Sequence, residues 1–427
     1  MNARASLVTT ALMLVFVAPV FGRADEGSES SRVWSLLRDQ GLTGTVRLDY
    51  YHSSKALDDQ TDFLGATTQL TLRPTVNQRL DGRIDARVTN PDVGTGTETA
   101  ELLREAYLTA RFARIDVRIG RQIVAWGRAD GINPTDNLTP RDFVVLLPFE
   151  DDQRFGVPAL KVDGYLTPEL TLTLFTTPFF EPHRIPLGDG LIEEIPSRTF
   201  KNTEVGVKLN RAGEGGDWSV SYYHGFDLLP DAYLVNGAAG GPLIALRHNR
   251  IDVIGADAAR NLGRYGLRAE AAYVFTHDRR GDDPTIKNPF AFWVIGGDRT
   301  LGENVNINLQ LVGRWVHRYH DPTAIGDPAG RAVAVQNAIL DVHQDRATYG
   351  LSSRVSDKWF NDTLEAEVLV FVNFRRTNTY VRPVITYAFT DHLKGTLGGE
   401  LYTGPNESFF GRLKTNRGPF VEARYSF

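Results

Sequence analysis

The chain has 427 residues, with 47 basic and 52 acidic side chains, a net charge of −5 and no cysteine. Disulfides and thiolate metal sites are therefore excluded, and without long blocks of like charge the composition gives no case for nucleic acid. A mean hydropathy of −0.25 suits a soluble protein, or a barrel in which only alternate residues meet lipid.

Met1-Asn2-Ala3-Arg4 is a positive start, Leu7 to Phe21 is an apolar run, and small residues follow at Gly22 and Ala24. That is the layout of a secretory signal peptide, residues 1–24, cleaved after Gly22 or Ala24. A membrane-anchoring helix is the weaker alternative. Ala18-Pro19 breaks the run short of the roughly 20 apolar residues that span a bilayer. Nothing later approaches that length, so any further entry into a membrane must be as strands. Ser31 to Asp39 reads as a short helix in a periplasmic leader, 25–41, ahead of one unit, 42–427.

From Arg79 to Thr89 every odd position is polar, including Arg83, Asp85 and Arg87, and every even one is apolar or Gly. A period of two is what a strand produces, because successive side chains point to opposite faces. The same alternation places Arg47 and Asp49 on one face near 45–51, Arg118 near 114–119, and Arg268 and Glu270 near 264–273. It returns near 304–311, 363–370 and 393–401, and Arg314 and Arg382 fall on noisier segments. These ten charged residues are the candidates for the lining of a lumen. The expected fold is all-β: a transmembrane, antiparallel, up-and-down β-barrel of about 18 strands, with 16 as the fallback. Short periplasmic turns are expected at Ala113-Arg114, Thr390 to His392 and Asp257 to Leu262. Long extracellular loops are expected near 124–156, 177–200, 227–246, 278–288, 318–345 and 403–417. Tyr50, Phe112, Tyr165, Trp218, Trp315 and Phe389 sit at predicted strand ends, as interfacial girdles require.

The stretch after Gly120 is the one that carries specificity. Arg121, Arg128 and Arg141 are interleaved with Asp130, Asp136 and Asp142, among Asp-Gly and Asn-Pro turn signals. An inward-folded constriction loop, 124–156, with opposed charges is the functional reading. A surface loop held by ion pairs is the plain one. Gly120-Arg121-Gln122, Trp126-Gly127 and Asp130-Gly131-Ile132-Asn133-Pro134-Thr135-Asp136 resemble a family of proteobacterial outer-membrane barrels distantly akin to the alginate-export and porin-type barrels. The resemblance is sharp over roughly 115–145 and architectural elsewhere. It implies a single-chain barrel in the Gram-negative outer membrane and assigns no catalytic residue.

The chain ends Val421-Glu422-Ala423-Arg424-Tyr425-Ser426-Phe427, apolar on one face and polar on the other. The pattern resembles the last strand of outer-membrane barrels, which the assembly machinery reads through the C-terminal Phe427. Only eight of the 47 basic residues are lysine. Arginine suits carboxylate, sulfate or phosphate groups, although a GC-rich genome gives the same bias. His317 and His320 lack a third ligand, so no metal is expected. No nucleophile–base pattern or phosphate loop appears, so neither an enzyme nor a cofactor is expected. The reading is a porin passing small, anionic solutes through a polar lumen. It would contact outer-membrane lipid and lipopolysaccharide, with a homo-oligomer or an envelope partner left open. The alternatives are a partner-dependent conduit for a polymer or hydrophobic compound, and a barrel sheath around an electron-transfer cytochrome.

Overall fold

The computed structural model describes residues 39–57, 60–93, 100–144, 153–185, 191–236 and 242–427. The signal peptide, nearly all of the leader helix, Asp58-Asp59 and Asp151-Asp152 lie outside the described residues.

Alternating sequence becomes alternating burial. On the strand Leu80–Asn90, Asp85 and Arg87 are 0% and 2% exposed, whereas Ile84, next to Asp85, is 45% exposed. Leu48, Ile119, Ile254, Ile295, Leu397 and Val421 are exposed in the same way on other strands. Water would not tolerate so continuous an apolar band, but lipid favours it, and the polar side chains turn into the ring.

Eighteen strands close that ring among the described residues, which settles the expected choice between 18 and 16. Each pairs antiparallel with the next, and Thr75–Asn77 adds a short strip beside Leu80–Asn90. The first strand, Thr43–Leu57, meets the last, Gly418–Ser426, in the register Tyr51↔Phe420 to Thr45↔Ser426. Gly44 and Phe427 complete the seam with two backbone hydrogen bonds, at 2.9 and 3.0 Å. With every ladder paired, no open edge meets lipid.

Connections are short at one end and mostly long at the other, where only Leu57 to Gln60 and Asn373 to Asn378 are close-set among the described strands. The expected short turn at Asp257 to Leu262 is a correction: these residues finish the strand Arg250–Leu262, paired through Leu262↔Tyr265. The turn falls instead at Gly263, whose φ of 60° suits glycine. Asp257 faces inward and the alternation runs through it, so a turn there would have broken the wall.

The long loops carry structure of their own. Asp231–Asn236 and Pro242–Arg247 form a hairpin, and Ile192–Glu194 adds to it in parallel. Helix α1, Pro328–Leu340, begins where Asp327 accepts a hydrogen bond from the Gly330 amide at 2.6 Å. Its Val333 packs on Ala232 and Leu246. Asn337 exchanges two hydrogen bonds with the Ala232 backbone, at 2.7 and 2.9 Å, which fixes the helix to the small sheet. A short helix α2, Phe409–Arg412, starts at Ser408, which accepts from the Gly411 amide.

Candidate functional site

The inner loop follows the strand Ile115–Gln122. Gly120 has φ 126°, and a Cβ there would lie 2.3 Å from the Ala106 carbonyl oxygen, so glycine is required. The neighbouring side chains anchor the loop's root. Arg121 makes a bidentate pair with Glu181, at 3.0 and 2.6 Å, and fully buried Gln122 donates to the Ala159 carbonyl at 2.9 Å.

Beyond this root the described part of the loop is folded inside the barrel. Val124, Trp126 and Leu138 are nearly fully buried against Phe175, Tyr223, Val253 and Val274, all on the inner face of the wall. Gly206 makes this approach feasible, because a Cβ there would sit 2.9 Å from the Trp126 ring. Apolar side chains therefore form a core within the lumen, driven by the usual gain from removing apolar surface from water.

Polar tethers then carry the loop to strands far along the chain. Glu270, 2% exposed, accepts from the amides of Arg128 (3.0 Å), Ala129 (3.2 Å) and Thr135 (2.8 Å). It also accepts from the Thr135 hydroxyl (2.8 Å) and the Asn133 amide group (3.2 Å). Arg128 pairs with Asp257 and donates to Asn210 at 2.6 Å. The Asp130 amide donates to Gln310 at 2.9 Å and its carbonyl accepts from the same side chain at 2.8 Å. Its carboxylate lies 3.4 Å from Arg354. Asp136 accepts from the Trp126 amide and pairs with Arg154 at 2.6 Å. Asp142 pairs with Arg184 at 3.1 Å. The Arg141 amide donates to His183 Nδ1 at 2.8 Å, and burial pushes that imidazole down to about 3, which leaves it free to accept.

The ten candidate lining residues all sit on the inward face, but most are committed to partners. Arg83 spans Asp85 (3.0 Å) and Glu105 (2.6 Å). Arg47 lies 3.6 Å from Glu422 across the seam, and Asp49 packs over Gly65. Arg87 is buried. Arg118 covers the Tyr107 ring at 4.4 Å, and Arg268 pairs with Asp298 at 3.0 Å. Arg314 binds the Asp341 carbonyl and lies over Phe290 and Phe292. Arg382 lies 5.6 Å from the Phe420 ring centre, and no carboxylate of the described residues is within ion-pair distance of it.

Sequence reasoning missed Arg104, because the ladder shifts register between Asp85 and Ala86. That bulge turns Arg104 and Glu105 inward together, and Arg104 reaches Asp85 at 3.6 Å. It also missed a knot of loops around Lys287, which lies 2.7 Å from Asp341, 2.9 Å from Asp227 and 4.0 Å from Asp231. Finally, it missed a cavity of about 490 Å³ beside the inner loop, bounded by Asp130 to Ile132, Arg382, Glu400 and several aromatic rings.

Comparison with known proteins fits this geometry. The solved structures that match include OccD3 (OpdP) of Pseudomonas aeruginosa, with a TM-score of 0.54, 12% identity and 90% of each chain covered. OpdK of Pseudomonas aeruginosa matches with a TM-score of 0.53, 10% identity, and 90% of this chain and 98% of that one covered. OccAB3 of Acinetobacter baumannii gives 0.53, 9%, 90% and 98%. At such identities the likeness is one of fold, the outer-membrane porin barrel. No curated protein sequence matches. The family model DUF1302, described as a protein of unknown function, matches residues 37–380, and the chain belongs to that family.

Proposed function

We propose that the protein is an outer-membrane channel for small solutes, in which the inner loop, 124–156, sets the constriction. The observation that carries this reading is the tethering of the loop across the lumen to Glu270 and Gln310, with the cavity of about 490 Å³ left beside it. The apolar outer band would dissolve the wall in lipid, and lumen side chains would partly replace the hydration of a passing solute. Anionic solutes are favoured because Arg382 has no carboxylate partner among the described residues, whereas most of the other candidate lining charges are held by carboxylates, carbonyls or rings. Surface contact with lipopolysaccharide, and recognition of the Phe427 strand by the assembly machinery, belong to the same proposal.

The test is single-channel conductance and reversal potential of the refolded chain in a planar bilayer under a salt gradient. Stable conductance with an anion-shifted reversal potential is expected. A folded but silent barrel would overturn the open-channel reading. It would instead support a gated conduit, which the apolar core around Trp126 inside the lumen also favours.

A further inference from the structure

The cavity beside the inner loop has a lining unlike the rest of the lumen. On three neighbouring strands, Leu364–Asn373, Asn378–Ala388 and Leu393–Thr403, the inward side chains include Phe371, Tyr380 and Tyr402. Phe410 of α2 reaches in to join them. Its ring stacks on Tyr380 with centroids 5.7 Å apart and a 22° tilt, and meets Phe371 edge-on at 5.6 Å. Tyr380 and Tyr402 stack at 5.0 Å and 19°. Aromatic rings turned towards a polar lumen lose the lipid contact that the outward positions offer, and among the described residues these four belong to no buried apolar cluster. They form one wall of an open cavity.

Charge in the cavity is only partly paired. Asp130 is met by Arg354, which also faces Glu367 at 3.7 Å. Glu400 is held between two phenols, accepting from Tyr380 at 3.1 Å and Tyr402 at 2.8 Å. Arg382 lines the cavity with no carboxylate in ion-pair distance among the described residues, and its Nε is shielded from solvent with no hydrogen-bond partner there. Arg314, which also lines the cavity, is held instead by the Asp341 carbonyl and two phenyl rings. The ladder to the next strand is interrupted at Arg382 and Pro383, where proline has no amide to donate. A buried donor without a partner is costly to keep, and arginine presents a planar fork that matches a carboxylate or sulfonate.

We propose that this cavity is a binding site for amphipathic organic anions, an acid group on an apolar or aromatic body. The acid docks on Arg382, and the body stacks against the Phe410–Tyr380–Tyr402 wall. A volume of about 490 Å³ lies within the usual range of about 300–1,000 Å³ for small-molecule sites. The proposal rests on the channel reading in so far as it names the solute class, but the site is testable without flux.

The probe is 2-naphthoate, titrated into the full-length folded barrel in detergent by calorimetry, with acetate and 2-naphthylmethanol as comparators. Saturable binding of naphthoate is expected, with both comparators much weaker. R382Q and F410L should each weaken it about tenfold or more, whereas R211Q, at the strand end where Arg211 pairs with Glu169 and outside the cavity lining, should leave it unchanged. Heat-modifiable mobility on a gel reports folding of each variant, and R382K serves if R382Q does not fold. Lysine there keeps charge without the fork and should bind with intermediate strength. Absence of saturable binding, or equal binding by the naphthyl alcohol, or no effect of either substitution, overturns the site. Salt conductance of the same preparations separates the two readings. Conductance without naphthoate binding leaves the channel and removes the site, and binding without conductance does the reverse.

Discussion

Lys287 reaches Asp341 at 2.7 Å, and the two come from different loops. Asp227 and Asp231, from a third, complete the cluster, so one ammonium faces three carboxylates away from solvent. Burial opposes the charge on Lys287, but the three aspartates outweigh it and hold the pKa above the ordinary lysine range. Replacing Lys287 with Met strands three buried acids. Loss of one partner of a buried pair costs about 3–5 kcal/mol, here felt as loop opening rather than loss of the barrel. Amide exchange at 227–236 and 328–343 should accelerate sharply while wall strands keep their protection. Unchanged loop exchange would show that the knot holds without its cation.

The same cluster predicts a pH dependence. Burial pushes the Asp231 carboxyl from its ordinary 3.8 up to about 7, with Asp341 and Asp227 adding to the push against the pull of Lys287. Closed loops thus keep a proton that opened loops release between those values. Closure becomes less favourable as pH rises from about 4 to about 7, and levels off above. Loop protection, corrected for intrinsic exchange rates, should be greater at pH 5 than at pH 8, and Asp231→Asn should flatten the difference. A wild-type profile that rises with pH would refute the assignment.

Glu270 is the main tether of the inner loop. Glu270→Ala removes the acceptor of five hydrogen bonds, and contacts to a charged acceptor contribute about 1.5–3 kcal/mol each. The loop should be released and single-channel conductance should rise. Glu270→Gln should act in the same direction but less, since one carbonyl oxygen remains to accept from Thr135. Conductance equal to the wild type in the folded Ala variant would place the conducting path elsewhere.

Trp126 and Gly206 test the apolar half of that attachment from opposite sides. Trp126→Ala should cost the loop's packing about 3–5 kcal/mol. Gly206→Val should expel the same ring by filling its seat. Both should mimic Glu270→Ala in conductance, and opposite effects would break the link.

Ile84 faces lipid beside Ala106 and Leu72. Ile84→Arg should destabilise the barrel by about 2–4 kcal/mol, measured by denaturant refolding into vesicles. Asp85→Asn, one residue along but inward, should refold with a smaller loss. A silent Ile84→Arg would invert the assignment of faces.

The wall was legible because its signal is local. Val421 and Glu422, or Ile84 and Asp85, reveal their faces by parity alone. Arg104 was hidden because a bulge adds one residue and breaks that parity. The motif around Trp126-Gly127 and Asp130 to Asp136 announced an ordered loop, yet its anchors, Asp257, Glu270 and Gln310, carry no mark tying them to it. Lys287 and the ring of Phe410 were equally opaque, since each acquires meaning only when loops distant in sequence converge.

The tethers of the inner loop span 142 residues from Arg128 to Glu270 and 180 from Asp130 to Gln310. Contacts that distant form late, since the intervening chain must first be ordered. The strands carrying Glu270 and Gln310 must therefore be in place before the loop can take up these hydrogen bonds, so the order of the inner loop is inherited from the far side of the wall.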